Sequence, residues 1–281
     1  LSKKLAVAII HGIGTQRDDF AWEMEEKLKK QFTKRLRKLK PSITAPEAQL
    51  VIKPICWADT FAEPEDILWD KLKSLKLDYR LLRIAMVHVL ADAIAYQKSP
   101  SRKNYYKIIH TLIDEKLKEL AEETGNDEAP LCVISHSLGT IISSDHFYDL
   151  QQGKRKAEQL DNPLVSGETL TLFYTMGSPI SLWSIGYDEF DRPIEVPAKG
   201  VQKRFPDTGE WINFYDKDDI IAFPLEPLYG SQYVKDLQAP VGGLLTGWNP
   251  ISHSQYWTAK SVINPIVDGL IRTWLSINRE K

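Results

Sequence analysis

The stretch Leu131-Cys132-Val133-Ile134-Ser135-His136-Ser137-Leu138-Gly139-Thr140 constrains the fold more than any other part of the chain. Four apolar residues open it, two of them β-branched, the pattern of a short strand buried on both faces. A Ser-x-Ser-x-Gly turn follows at once, and Ile141-Ile142-Ser143-Ser144 then starts helix-like spacing. A strand that turns sharply into a helix with a serine at the apex is the pattern of a nucleophile elbow. Such a turn holds the apex residue in a strained backbone conformation and lifts its hydroxyl off the sheet edge. Strand and helix nearly touch there, so the residues two before and two after the apex must be small. Ser135 and Gly139 fill those places around Ser137, with serine standing where the usual pattern has glycine. The competing reading is an ordinary strand-to-helix turn whose serines cap the helix. The two are separated by whether partners for Ser137 exist elsewhere in the chain.

Residues 5–10 form a second continuous apolar run, a buried parallel strand, ending in His11-Gly12-Ile13-Gly14. Glycine lets backbone amides turn toward a ligand without interference from Cβ. In serine hydrolases of this architecture such a loop donates one oxyanion-hole amide, and the residue after the nucleophile donates the other. Those amides fall on Ile13, or its neighbour Gly12, and on Leu138. The loop lacks phosphate-binding spacing, and His11 reads as shaping it. Periodicity predicts a helix over 20–39, a strand over 49–57, an unusually apolar helical segment over 61–98 and a helix over 105–123. Further strands are expected at 170–176, ending in Gly-Ser-Pro, and at 211–215. Residues 181–210 read as irregular, and a helix over 256–277 closes the chain. Strands alternating with helices point to a parallel sheet.

With 281 residues, 43% apolar, the chain can bury the core of one large α/β domain covering 1–281, with no repeat or linker to divide it. A net charge of -2 gives no footprint for nucleic acid. Cys56 and Cys132 lie in apparent strands and read as core residues; their spacing fits no zinc motif. The chain enters its first strand from Leu-Ser-Lys-Lys without the pattern of a secretory leader, and no apolar run reaches about 18 residues. The expectation is therefore a soluble, cytoplasmic protein. Lys27, Lys29, Lys30, Lys34, Arg35, Arg37 and Lys38 give the 20–39 helix a basic face. It reads as a solvated face, with peripheral contact to an anionic membrane as the sharper alternative. The 61–98 segment reads as a helical lid or insertion, or as plain core.

A serine hydroxyl is a poor nucleophile at neutral pH and needs an adjacent base, itself oriented by an acid. On α/β-hydrolase architectures these follow in the order Ser, Asp/Glu, His. Beyond Ser137 the chain holds only His146 and His253. His146 precedes any plausible acid strand, which leaves His253. Asp216, Asp218 and Asp219 all lie just past the penultimate strand. His88 and Asp92 precede the nucleophile and read as a polar pair on a packed surface.

At this point the chain resembles the α/β-hydrolase superfamily, in particular its lipase and esterase branches. The blocks HGIG, SHSLGT, TMGSPI, DDIIAFPL and SHSQYW occur in the family's order across nearly the whole chain. The resemblance implies an α/β-hydrolase fold: a mostly parallel central sheet flanked by helices, with a helical insertion before the nucleophile strand. It places the acid on Asp219, whose segment closes on Pro224, and the base on His253, with Asp216 as reserve acid. It implies cleavage of a small-molecule or lipid carboxylic ester through Ser137, with Gly12 or Ile13 and Leu138 at the oxyanion hole, and no metal or organic cofactor. An amidase, thioesterase or acyltransferase on the same three residues, or a non-catalytic binding protein on a hydrolase fold, are the alternatives.

Overall fold

A computed structural model of the chain describes residues 2–12, 19–57, 60, 93–97, 104–155, 161–187, 192–205, 208–241, 253 and 255–279. Strands β1 (Leu5–Ile10), β2 (Leu50–Ile55), β3 (Leu131–His136), β4 (Leu170–Met176), β5 (Glu210–Tyr215) and β6 (Lys235–Gln238) form one sheet, and every pairing in it is parallel. Parallel neighbours require crossovers that cover both faces of a sheet. Helices α1 (Trp22–Leu39) and α4 (Lys260–Ile277) pack on one face, against Leu5, Val7 and Ile9. Helices α2 (Tyr105–Thr124) and α3 (Leu138–Gln151) pack on the other, against Ala6, Ala8 and Ile10. The alternation along β1 follows from the two-residue repeat of a strand.

Local chemistry sets the helix limits. Met24, Leu28, Phe32 and Leu36 give α1 its buried stripe, while Leu39, expected to extend it, is 51% exposed. Glu23 and Glu25 in the first turn, with Arg37 and Lys38 in the last, oppose the helix dipole favourably. The basic face is partly tied down: Lys29 meets Glu25, Arg37 meets Glu47 and Arg35 meets Asp268. Asn104 caps α2 by accepting from the Lys107 amide at 3.0 Å, and Gly125, at φ 66°, ends it.

The strand order β2-β1-β3-β4-β5-β6 places the site. The chain steps outward from β1 to β2, then restarts on the other side of β1 with β3. The ends of β1 and β3 therefore flank the point where the winding reverses, the place where open parallel sheets bind ligands. An all-parallel sheet with helices on both faces and a serine turn at this reversal is an α/β-hydrolase fold. Two features differ from expectation. Strand β6 is short and polar, at the sheet edge, and carries no apolar run to announce it. The segment 181–210, expected to be irregular, instead carries helical turns at Ile180–Trp183 and Ser184–Gly186 and a helix at Lys199–Arg204. The helical lid or insertion expected over 61–98 lies outside the described residues apart from 93–97. No described helix is long and apolar enough to cross a membrane.

Candidate active site

Ser137 sits between the last residue of β3 and the first of α3 with φ 53° and ψ -129°. It is the only non-glycine residue at positive φ among the described residues. Such a conformation costs on the order of 1–3 kcal/mol, so the surroundings must impose it. They do so through the backbone: the Ser137 amide donates to Met176 O at 3.0 Å, and Ser137 O accepts from the Thr140 amide and hydroxyl at 2.9 and 2.7 Å. The Ser137 side chain makes no capping bond to α3. The turn is held by main chain and Thr140, and the strained serine's hydroxyl is not used to hold it.

The small residues around the apex have a steric cause. A Cβ on Gly139 would lie 2.2 Å from His11 O, and one on Gly12 would lie 2.5 Å from Ser137 Cβ. The end of β1 and the start of α3 are in backbone contact. Ser135 is fully buried and fits the other small place. His11 is neutral: its Nδ1–H donates to Gly12 O at 2.6 Å and its Nε2 accepts from the Trp57 amide at 2.9 Å. Burial pushes its pKa down to about 4, against the opposing bond to Gly12. The Leu138 amide, first in α3, has no intrahelical partner and stands at the positive end of the helix dipole. Gly12 borders Ser137; Ile13 lies outside the described residues.

His253 and Asp219, 34 residues apart, meet. His253 Nδ1 donates to Asp219 Oδ2 at 2.7 Å. That bond fixes the tautomer of the neutral ring, in which Nε2 carries the lone pair; Nε2 is buried and has no hydrogen-bond partner among the described residues. Burial pushes the Asp219 carboxyl up, but bonds from His253, the Ile221 amide (3.0 Å) and the Tyr256 hydroxyl (3.0 Å) outweigh it, and its pKa falls below the usual carboxylate range. Asp216 does not take this place. Its Oδ1 accepts from the Asp218 amide at 3.1 Å and its Oδ2 from the Val241 amide at 2.7 Å, tying the exit of β6 to the turn after β5. Asp218 is exposed.

Ser137 and the His253–Asp219 pair are neighbours through β4. Met176 O holds the Ser137 amide, and at the next residue, Gly177, a Cβ would lie 2.9 Å from His253 Cε1. Gly177 also has φ 57°, so both backbone conformation and ring contact demand glycine. The Ser137 hydroxyl and His253 Nε2 are not hydrogen-bonded to each other; such bonds often tighten only when substrate is bound. Two residues passed over in the sequence hold the arrangement. The Tyr256 hydroxyl accepts from the Asp216 amide at 2.9 Å while donating to Asp219. The His136 ring donates from Nε2 to His253 O at 2.6 Å. Tyr256 could have been suspected from the SHSQYW block, whereas His136 occupies a position that the elbow pattern leaves open.

His146 is elsewhere, buried against Asp114 and Arg155, and burial and then Arg155 push its pKa well down. A cavity of about 630 Å³ opens beside α3, lined by Tyr96, Tyr106, Asp145, Trp183 and Arg192. None of Ser137, Asp219 or His253 is among its described lining residues. Its floor is satisfied internally: Asp145 pairs with Arg192 and accepts from Tyr187 at 2.8 Å and Tyr96 at 3.1 Å. Among the described residues no group of His, Cys, Asp or Glu is arranged to hold a metal ion.

No family model matches the chain, and no curated protein matches it in sequence. Among solved structures it is similar to a fungal esterase from Rhizomucor miehei, one of two whose structures were analysed to explain their substrate specificity. The likeness covers 99% of this chain and 77% of that one, at 12% identity and a TM-score of 0.43.

Proposed function

We propose that the chain is a serine hydrolase that cleaves a carboxylic ester of a small molecule or lipid. The observation that carries this reading is His253: its Nδ1–H is bonded to buried Asp219, so its Nε2 is left able to accept a proton beside a serine turn. Ser137 Oγ attacks the ester carbonyl carbon as its proton passes to His253 Nε2. Asp219 holds the imidazole in this tautomer and stabilises the imidazolium. The oxyanion is held by the Leu138 amide and by an amide of the loop after β1, from Gly12 or Ile13; losing one such donor costs roughly 3–4 kcal/mol in a comparable enzyme. The tetrahedral intermediate collapses, the bond from carbonyl carbon to alkoxy oxygen breaks, and the alcohol leaves with the proton from Nε2. Water then attacks the acyl-Ser137 carbonyl by the same steps and releases the acid. Turnover of p-nitrophenyl acetate tests this. Ser137→Ala should lower kcat by about 10⁴-fold or more with the fold intact. Retained turnover would refute the assignment.

A further inference from the structure

His136 is the last residue of β3 and immediately precedes Ser137. By strand alternation its side chain falls on the face of Cys132 and Ile134, the face on which α4 packs. His253 precedes α4 in the chain, and residues 255–258 lead into that helix. His253, Trp257 and Tyr256 lie 4.6, 5.3 and 5.9 Å from the His136 ring, centroid to centroid. Among the described residues, a hydrogen bond from His136 Nε2 to the main-chain carbonyl of His253 crosses this contact at 2.6 Å. A carbonyl only accepts, so His136 must be the Nε2–H tautomer. Burial, and then the neighbouring His253, push the His136 pKa down to about 3, and the ring stays neutral at any working pH.

The His253–Asp219 bond orients the imidazole about its own axis but does not fix where the ring stands relative to Ser137. Packing against Gly177 limits how closely the ring approaches β4, but a bond between the serine turn and the histidine main chain is what ties the two segments together directly. His136 provides it over the shortest covalent path, one peptide from the nucleophile. We infer that His136 is a positioning residue, whose Nε2–H bond to the His253 carbonyl sets the distance between the nucleophile and its base. The inference rests on the reading that His253 is the base for Ser137.

The test compares His136→Leu, which removes the donor, with His136→Gln, whose side-chain amide can present an N–H at the same depth. Steady-state hydrolysis of p-nitrophenyl acetate is measured alongside thermal melting. A misplacement on the order of 1 Å costs up to about 100-fold in rate. The expected result is a kcat roughly 10- to 100-fold lower for His136→Leu, with KM within about twofold of wild type, and recovery of most of that loss by His136→Gln. If His136→Leu keeps the wild-type kcat, or His136→Gln falls as far as His136→Leu, the inference is overturned, whatever the melting temperatures do. A wild-type protein with no turnover that depends on Ser137 would instead overturn the reading beneath it. Should His136→Leu fail to fold, histidine-selective ¹H–¹⁵N spectra of the wild-type protein decide the matter. A slowly exchanging Nε2–H on His136 supports the inference, and an Nδ1–H tautomer refutes it.

Discussion

Replacing Gly139 by alanine sets two opposed effects against each other. Removing a glycine from a helix ordinarily stabilises by up to about 1 kcal/mol, through propensity and the entropy of the unfolded chain. Here the added Cβ would stand 2.2 Å from His11 O and 3.0 Å from His11 C and Ile10 O, all backbone atoms at the end of β1. No side chain can swing away, so the start of α3 must withdraw by about 1 Å to restore contact distance. Overpacking of this kind costs roughly 1–3 kcal/mol, which outweighs the helix gain. The larger consequence is catalytic, because the same displacement carries Ser137 and the Leu138 amide with it. A shift on that scale costs about 100-fold in rate. Gly139→Ala should therefore lose about 1–2 kcal/mol in urea denaturation followed by tryptophan fluorescence. It should lose about 100-fold in kcat/KM for p-nitrophenyl acetate. Ser135→Gly, at the other small place, should cost within about 1 kcal/mol and leave turnover nearly unchanged. A Gly139→Ala protein that is more stable than wild type and equally active would refute the close-contact reasoning.

Stability should fall as the pH drops below about 6.5. His11, His136 and His146 are held neutral with folded pKa values below 6.5, so below that pH the unfolded chain binds more protons than the folded one. Each histidine removes about 1.4 kcal/mol per pH unit, fully present above pH 6.5 and lost as pH falls toward the folded values. Asp219, depressed in the fold, adds its own loss below about pH 4. A urea midpoint unchanged between pH 7 and pH 5 would contradict this. Tyr256→Phe removes one bond to Asp219 and one from the Asp216 amide, and should lower kcat about 10-fold with little change in KM. An unchanged kcat would leave Tyr256 with a packing role only. Arg192→Ala leaves the buried Asp145 carboxylate without its cation, held by the Tyr187 and Tyr96 hydroxyls alone, and should destabilise by roughly 3–5 kcal/mol, read by urea denaturation. A loss under about 1 kcal/mol would mean that water reaches Asp145 in the fold.

The residues differ in how much of their role shows in sequence, and for physical reasons. Strands β1, β3 and β4 are buried on both faces, so β1 and the first four residues of β3 appear as apolar runs and β4 as a mostly apolar one broken by Thr171 and Thr175, whereas β6 lies at the edge and leaves almost no pattern. The serine turn was legible because steric contact with β1 restricts its flanking residues, and that restriction survives as small side chains at fixed spacing. The segment closing on Pro224 favours Asp219 by resemblance, but nothing local shows how Asp216 is engaged instead. That depends on where the Val241 amide lands after β6, and the contact spans 25 residues. His136 and Tyr256 escaped notice for the same reason: each acts through a bond to a distant segment, and neither bond imposes a local periodicity. In the segment expected to be irregular, the helix Lys199–Arg204 buries only Val201, too little to mark an apolar face.

The most direct test of the account is covalent. The protein is treated with a fluorophosphonate at neutral pH, digested and analysed by mass spectrometry, with His253→Ala treated in parallel. A single phosphonyl adduct on Ser137, lost or strongly slowed in His253→Ala, is the result expected of a serine activated by that imidazole. An adduct on another serine, or none on a folded protein, would contradict it.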